Sequence, residues 1–331
     1  MRVLVLGHRD VVAALSPQAC AESMAAVLAA RARGETYMPL RSIMAASGAA
    51  GFMGLMPSWR GGQQDQGAVF ALKAICVIPD NPARGLDAHQ GTVTLFDGET
   101  GVPTAILDAS AVTAIRTAAV TAVATGVLAR ADARTLAILG AGVQGRAHLR
   151  ALARVRDFGQ IRVYAPTRAH VQALIDEAGS VGAELSAAAS AEDAVRGADV
   201  VVAATNAREP VLQHAWLKPG AHVNAVGAST PRAKEIDTAT VAASALFCDS
   251  RESVLAEAGE FQLAVTEGLI GGEAHIRAEL GEVLAGTAAG RRDDGELTLF
   301  RSLGIAVEDL AAAETAVAAA RAQGLGTEVE L

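Results

Sequence analysis

The chain has 331 residues, of which 51% are hydrophobic and 19% are charged, and its formal net charge is −8. This length predicts two domains, and the composition is that of a well-buried α/β protein rather than a disordered segment. The acidic balance and the lack of a basic stripe exclude a nucleic-acid-binding surface.

The first residues of the sequence and the cysteines bear on the cellular compartment that we expect for the protein. The apolar start is interrupted by Arg9 and Asp10 too soon for a signal peptide, and no apolar run is expected to reach the ~18–20 residues of a membrane span. The cysteines, Cys20, Cys76 and Cys248, are widely spaced and form no CxxC pair, which predicts free thiols rather than a zinc site. We therefore expect a cytoplasmic protein without a metal, a membrane or a nucleic-acid partner.

The first third of the chain predicts a helix followed by a mixed sheet. Ser16 and Pro17 begin an alanine-rich helix that continues to about Arg33 and is ended by Gly34. Alternating or continuous apolar residues predict strands at 37–45, 68–79 and 91–108. The turn residues at 80–85 predict a loop, those at 96–101 a hairpin, and a long helix is expected over 112–128.

From Arg134 onward, short apolar strands alternate with helices. Strands are predicted at 135–139, 161–164, 198–203, 221–226 and 245–248, and helices from the glycine-rich turn to about Val155 and at 167–180. This alternation predicts a parallel, doubly wound α/β sheet of the Rossmann type with right-handed crossovers. An alanine-rich helix is expected at 307–323.

The turn after the first of these strands carries a dinucleotide-binding pattern. Gly140, Gly142 and Gly145 match G-x-G-x-x-G, with Val143 and Gln144 opening the helix. The first glycine allows the tight turn, the second lets the backbone approach a pyrophosphate, and the third lets helix and strand pack closely. The helix N-terminus offers N–H groups to that anion. The alternative is an ordinary glycine-rich α/β turn.

The residues at the end of the second strand of the predicted Rossmann sheet, at 161–164, bear on the choice between NAD and NADP. NAD enzymes usually carry a carboxylate there for the ribose 2′-hydroxyl, whereas residues 164–168 contain none. Thr167 and Arg168 suit a 2′-phosphate instead, so we favour NADP over NAD. Alternatively, Arg168 is simply a solvated side chain of the first helical turn.

Further motifs extend over nearly the whole chain, and with them the sequence resembles the ornithine cyclodeaminase/mu-crystallin family. The motifs are Pro39-Leu-Arg41, Leu72-Lys73, Pro79-Asp-Asn81, His89-Gln-Gly91, Leu95-Phe-Asp97, Thr113-Ala-Ile-Arg-Thr-Ala-Ala119, Leu139-Gly-Ala-Gly-Val-Gln-Gly145, Asn224-Ala-Val-Gly-Ala-Ser-Thr-Pro231, Glu235-Ile-Asp237, Ala278-Glu-Leu-Gly-Glu-Val-Leu284 and Leu299-Phe-Arg-Ser-Leu-Gly304. Together these motifs are far more specific than the glycine turn alone.

This resemblance implies a substrate-binding and dimerisation domain at 1–118, completed by 305–331, and an NAD(P)-binding Rossmann domain at 119–304. It also implies a homodimer and a hydride shuttled between nicotinamide and the α-carbon of a small amino or imino acid. The family's carboxylate-binding positions match Arg41, Lys73 and Arg116, cations that suit a carboxylate chemically. Further cofactor contacts are expected at Thr117, Thr205, Val226, Gly227 and Gly304.

Individual residues refine the expected reaction. Lys73 lies in an apolar strand, where burial would lower its pKa and suit it to handle a proton. His89, expected in a loop after Asp87, is a second proton-handling candidate, although a lone histidine is more often a structural hydrogen-bonding residue. Ser229 stands where the cyclodeaminases carry an aspartate, and a hydroxyl cannot act there as a carboxylate base.

Three functions remain open from the sequence. We favour a ketimine reductase or amino-acid dehydrogenase, because the Gly-Ala-Ser turn is similar to that of the ketimine reductase and mu-crystallin-like members. The second is a cyclodeaminase, a lyase that recycles its NAD⁺, in which Glu235 would replace the missing acid. The third is a non-catalytic NADP(H)-binding protein.

Overall fold

The computed structural model describes residues 1–62 and 67–331, without the side chain of Pro82. The strands, in chain order, are β1 Arg2–Leu6, β2 Thr36–Tyr37, β3 Ser42–Met44, β4 Phe52–Arg60, β5 Val69–Val77, β6 His89–Asp97, β7 Pro103–Asp108, β8 Thr135–Leu139, β9 Gln160–Tyr164, β10 Glu184–Ala187, β11 Val200–Ala203, β12 His222–Ala225, β13 Ala245–Cys248, β14 Ile276–Glu279, β15 Thr298–Arg301 and β16 Thr327–Glu330.

The α-helices are α1 His8–Ala14, α2 Pro17–Ala32, α3 Ala109–Leu128, α4 Val143–Leu152, α5 Arg168–Ala178, α6 Ala191–Val195, α7 Thr238–Ala243, α8 Arg251–Glu257, α9 Gly259–Thr266, α10 Leu280–Leu284 and α11 Ala306–Gln323. The chain divides into two compact units, one formed by 1–116 with 305–331 and the other by 117–304. The boundary expected after residue 118 therefore lies two residues beyond the observed one.

The first unit contains a mixed sheet in the order β16-β1-β7-β6-β5-β4-β2, with β3 paired to β4. Strand β1 runs parallel to β7, whereas the other pairs are antiparallel. The expected mixed sheet and the hairpin between β6 and β7 are confirmed. Strand β4 was not predicted, because Gly54 and Pro57 interrupt its pattern, yet all nine of its residues pair with β5.

Helix α11 packs against β4, β5 and β6 and also against α2. Alternation along β5 buries Ala71, Lys73 and Ile75 on that face of the sheet. The N-terminus of α2 forms as predicted, because the Ser16 hydroxyl accepts a hydrogen bond from the Ala19 N–H at 3.2 Å and Pro17 occupies the first turn. The alternation along β5 therefore places Lys73 inside the first unit, on the face of the sheet that packs against α11.

The second unit is a doubly wound sheet in the order β10-β9-β8-β11-β12-β15-β13-β14. Every neighbouring pair of strands is parallel, so the predicted Rossmann-type α/β architecture is confirmed. Two apolar clusters of buried residues cover the faces of the sheet, as a parallel sheet requires. The strand order reverses between β8 and β11, and such switch points are where α/β sheets bind ligands at the carboxyl edge.

Helix α3 begins in the first unit and continues into the second. It has 20 residues and a mean hydropathy of 1.6, and 67% of its most apolar window is buried inside the protein. By length and composition alone it could cross a membrane, so the expectation that no such run exists was wrong. Its apolar character follows from burial, since a core helix of a globular protein is hydrophobic around its whole circumference.

Candidate active site

In the first unit, Lys73 lies at the centre of a buried group of charges. Only 3% of its side chain is exposed, and its Nζ lies 2.6 Å from Oδ2 of Asp309, at the start of α11. Burial lowers the pKa of Lys73 to about 8, while the charge and hydrogen bond of Asp309 oppose the shift and the nearby cations Arg116 and Arg41 add to it. Lys73 is thus a proton donor and acceptor poised near neutrality.

Arg116, on α3, shares the same carboxylate. Its Nε donates to Oδ1 of Asp309 at 2.9 Å, and its Nη1 donates to Oε2 of Glu308 at 3.0 Å. Although burial raises it, the cations Lys73 and Arg116 hold the pKa of Asp309 below its ordinary value. The half-buried Arg41 follows β2. The structure therefore brings together the three cations predicted from the sequence, and adds two acids that were not predicted.

His89 was expected in a loop, and this placement was wrong, because it is the first residue of β6. Its backbone N–H donates to Oδ1 of Asp87 at 3.0 Å, and its side chain is 49% exposed. Partial burial lowers the pKa of His89, Asp87 opposes this, and the charges of Lys73 and Arg116 contribute to the lowering. His89 therefore lies within electrostatic reach of the cations and is neutral near pH 7.

In the second unit, the predicted glycine turn has the geometry of a dinucleotide-binding turn. Gly140 adopts φ of +114°, and a Cβ on Gly145 would lie 2.1 Å from the Gly140 carbonyl oxygen. A Cβ on Gly142 would instead meet no atom within 4 Å. Gly142 is the N-cap of α4, and Val143, the first residue of that helix, is 51% exposed. These residues fit a pyrophosphate over Gly142 and the helix N-terminus.

The other predicted cofactor residues of this unit follow neighbouring strands. Parallel strands end at one edge of the sheet, so the turns after β8, β11, β12 and β15 share that edge. Thr205 follows β11, Val226 and Gly227 follow β12, and Gly304 follows β15. Thr117 lies on α3, where it is buried. The side chain of Gln144 is partly buried in the first turn of α4.

Thr167 and Arg168 occupy the position expected from the sequence, directly after β9. Thr167 is the N-cap of α5, and Arg168 is its first residue. Both side chains are exposed. The exposed Ser229 follows the buried Ala228 in the turn beyond β12. These residues can therefore be exchanged without disturbing a packed core.

Glu235 holds two turns of the carboxyl edge together. Its Oε1 accepts from the Thr205 N–H at 2.5 Å and from the Thr205 hydroxyl at 2.8 Å, and its Oε2 accepts from the N–H groups of Gly227 at 2.5 Å and Ala228 at 3.0 Å. Burial raises the pKa of Glu235 to about 7, while the hydrogen bonds from Thr205 and Gly227 and the charge of Arg301 lower it. A carboxylate engaged by four donors positions turns and is poorly placed to replace the cyclodeaminase aspartate.

Further buried groups at this edge escaped the sequence analysis. Oδ2 of Asp249, directly after β13, accepts from the N–H groups of Leu303 and Gly304, both at 2.7 Å. Arg301 donates to the carbonyls of Ala225 and Ala228 and forms a buried ion pair with Glu260. Arg301 thus binds the backbone on both sides of Val226 and Gly227, and Asp249 binds the backbone at Gly304, so both hold segments that carry expected cofactor contacts. No group of three metal-ligating side chains occurs within 1–62 and 67–331.

Comparison with known proteins agrees with this geometry. Residues 1–323 match the ornithine cyclodeaminase/mu-crystallin family. The ketimine reductase mu-crystallin of Mus musculus is 36% identical over 281 residues, covering 85% of this chain and 84% of that protein.

Solved structures are similar over the full length. The Thermococcus litoralis Delta(1)-pyrroline-2-carboxylate reductase, in complex with NADH and L-proline, has a TM-score of 0.94 and 36% identity, covering 99% of this chain and 100% of that one. An archaeal alanine dehydrogenase dimer with bound NAD has a TM-score of 0.92 and 30% identity, covering 100% of both chains. The protein described here belongs to the ornithine cyclodeaminase/mu-crystallin family.

Proposed function

We propose that this protein is an NAD(P)H-dependent reductase of 2-imino acids (ketimines), and that it catalyses the reverse oxidation of the amino acids. The observation that carries the proposal is the buried Lys73, with a pKa of about 8, close to Arg116 and Arg41. A carboxylate-binding group and a group that exchanges protons near neutral pH are what imine reduction requires of the protein.

The residues divide the work between them. Arg116 and Arg41 orient the carboxylate of the imino acid, because guanidinium groups bind carboxylates in a fixed geometry. Lys73 Nζ donates a proton to the imine nitrogen and regains one from water. A nicotinamide cofactor held at Gly142 and the N-terminus of α4 would supply the hydride that the α-carbon receives. In the reverse direction Lys73 must first be neutral so that it can accept the proton.

The alternative function is that of a cyclodeaminase, an enzyme that must also bind and deprotonate a distal ammonium group of its substrate. The expected acid is replaced by Ser229, which is exposed and carries no charge. Glu235 is engaged by Thr205, Gly227 and Ala228, as described above. The described residues of this turn therefore favour reduction over ring closure.

For the cofactor, we propose that NADP(H) is preferred over NAD(H). Residues 164–168 contain no carboxylate that would repel a 2′-phosphate. Thr167 and Arg168, both exposed at the start of α5, offer a hydroxyl and a cation to that group. Both relatives reported above as solved structures hold NADH or NAD, so the ratio of the two affinities is the quantity to measure.

We also propose a homodimer formed through the face of the first sheet that is turned away from α11. Tyr37, Trp59, Phe70 and Phe96 stand side by side across β2, β4, β5 and β6. Tyr37 is 67% exposed and Phe70 is 47% exposed. A row of partly exposed aromatic side chains is unusual in a chain that is only 3% aromatic, and it suits an interface. Phe70→Lys should yield monomers in sedimentation experiments.

The proposed reaction is tested by following cofactor oxidation. The purified protein should consume NADPH or NADH stoichiometrically with a cyclic ketimine acid, or with a 2-oxo acid and ammonia. Lys73→Gln should lower kcat by 10²-fold or more, in the range of general acid catalysis. The matched control is Lys218→Gln, which removes a lysine that pairs with Asp199 at 2.6 Å. Proline formed from ornithine with only trace NAD⁺ would overturn the proposal and restore the lyase.

A further inference from the structure

Two adjacent acids at the start of α11 contact two of the three cations of the proposed substrate site, Lys73 and Arg116. Glu308 is fully buried and Asp309 is 1% exposed. Asp309 bridges Lys73 and Arg116, whereas Glu308 forms an ion pair with Arg116. The two carboxylates therefore have different partners, although they are neighbours in the sequence.

Both acids are held in place by the helix that carries them. They lie in the first turn of α11, where the helix dipole favours a negative charge. Oε2 of Glu308 also accepts a hydrogen bond from the N–H of Ile305, the residue before the helix, at 3.4 Å. A helix of 18 residues packed against β4, β5 and β6 is a rigid support, so the position of Asp309 relative to Lys73 is fixed by the fold.

We propose that Asp309 is a positioning residue that keeps the Lys73 ammonium protonated and directed for proton transfer, while Glu308 orients Arg116. This inference rests on the proposed function. During reduction, Lys73 gives its proton to the imine nitrogen, and the reduced nicotinamide cofactor would supply the hydride to the α-carbon and so become oxidised. Asp309 exchanges no proton itself, and its carboxylate stabilises the ammonium that reforms when Lys73 regains a proton from water.

The groups around Lys73 allow the effect of Asp309 to be separated from the others. Arg116, Arg41 and His89 approach from α3, from the segment after β2 and from β6, and the two arginines disfavour the ammonium. Cys20, on α2, faces the same charges, but burial raises the pKa of its thiol to about 12, so it stays neutral. Asp309 is therefore the carboxylate in direct contact with Lys73, and its removal leaves the opposing cations unbalanced.

The sequence makes a direct test practicable, since Lys73, Lys218 and Lys234 are the only lysines in the chain. With ¹³C-labelled lysine, NMR titration resolves three side chains, and the Lys73 signal is assigned by its absence in Lys73→Gln. The wild-type Lys73 should titrate near pH 8. In Asp309→Asn its pKa should fall by about 1–3 units, which is the range for loss of a close opposite charge.

Glu308→Gln is the matched control, because it removes the neighbouring carboxylate, which pairs with Arg116, and leaves the ion pair of Asp309 with Lys73 in place. It should change the Lys73 pKa by less than half as much as Asp309→Asn does, and should raise KM for the imino acid more than it lowers kcat. In Asp309→Asn the loss of rate at alkaline pH should move to lower pH in parallel with the Lys73 pKa. A merely structural role would lower the rate without moving that profile.

Two measurements keep the test decisive. Asp309→Glu retains the charge and should keep the Lys73 pKa within about 1 unit of the wild type, even if Asp309→Asn does not fold. A Lys73 pKa that is unchanged in Asp309→Asn, or that falls as far in Asp309→Glu or Glu308→Gln, would overturn the inference. The NMR titration measures the Lys73 pKa without any catalysed reaction. A failure of the proposed reductase function would instead be detected in the wild-type protein, as a lack of cofactor oxidation with ketimine acids.

Discussion

Gly142 and Gly145 stand three residues apart in one turn, but they should respond to substitution in opposite ways. A Cβ on Gly142 meets open space, and its φ of −81° and ψ of −161° suit any residue. A Cβ on Gly145 would lie 2.1 Å from the backbone oxygen of Gly140. We therefore expect substitution of Gly142 to affect the cofactor, and substitution of Gly145 to affect the fold.

The size of each effect follows from these contacts. Asp is a favourable N-cap, so Gly142→Asp should leave the melting temperature unchanged or raise it. Its carboxylate would face the pyrophosphate, and two unit charges 4 Å apart interact by about 4 kcal/mol at an effective dielectric constant of 20. Screening at this exposed turn reduces the expected loss to about 2–3 kcal/mol, roughly a 30- to 150-fold weaker affinity. Gly145→Ala should cost about 1–3 kcal/mol of stability through overpacking.

The assay combines fluorescence titration with reduced cofactor and thermal unfolding of the cofactor-free protein. Gly142→Asn is the control for size, since it resembles Asp and caps the helix equally well without the charge. The difference between Asp and Asn then measures the electrostatic part alone. A folded Gly142→Asp variant with wild-type affinity would refute the placement of the pyrophosphate, and an unchanged melting temperature in Gly145→Ala would refute the packing argument.

Three further predictions concern cofactor choice and pH. Ala165→Asp should shift the ratio of NADPH to NADH affinity toward NADH, because a carboxylate after β9 repels a 2′-phosphate, and an unaltered ratio would contradict the role of this turn. Imine reduction should slow as the pH rises through about 8, where Lys73 loses its proton, whereas amino-acid oxidation should accelerate there, and parallel profiles in the two directions would exclude Lys73 as the proton-handling group. Burial lowers the pKa of His148 to about 4, whereas the same side chain in the unfolded protein titrates near 6.5. As the pH falls from about 6.5 toward 4, the histidine becomes protonated in the unfolded protein but not in the folded one, and the folded protein therefore loses stability. His148→Asn should flatten the fall in unfolding free energy by about 2 kcal/mol between pH 6.5 and 5, as measured by denaturant titration.

The parts of the fold with local signals were predictable from the sequence. Strand β8 matches its predicted range, and α2, α3 and α11 begin within three residues of theirs. In each case a periodic pattern, a cap or a glycine turn lies within a few residues of the element. Strands β10, β14 and β15 were not predicted, because each has only four residues and two of the four are polar or charged, so none forms an apolar run. Strand β1 was recognised only as an apolar start.

The site was predictable only in part, for a different reason. Lys73 stands out because it interrupts an apolar strand, and the cations could be grouped through the family resemblance. Glu308 and Asp309 gave no such signal, since acids in the first turn of a helix are common and usually exposed. Their contacts with Arg116 join residues more than 190 positions apart. Only the packing of α11 against the sheet reveals that these acids are buried with the cations.

Each of the two units contains a buried acid, and the need to pair that acid limits which residues can be substituted. A buried charge without a partner is costly, so Asp309 is matched to Lys73 and Arg116 in one unit, and Glu235 to the N–H groups of two turns in the other. Substitution of these acids must therefore disturb stability and activity together. Arg168 and Ser229 are exposed and lie at the edge where the strands end. Changes of cofactor or substrate should consequently arise at such exposed positions, because the buried acids keep the underlying turns and cations in place.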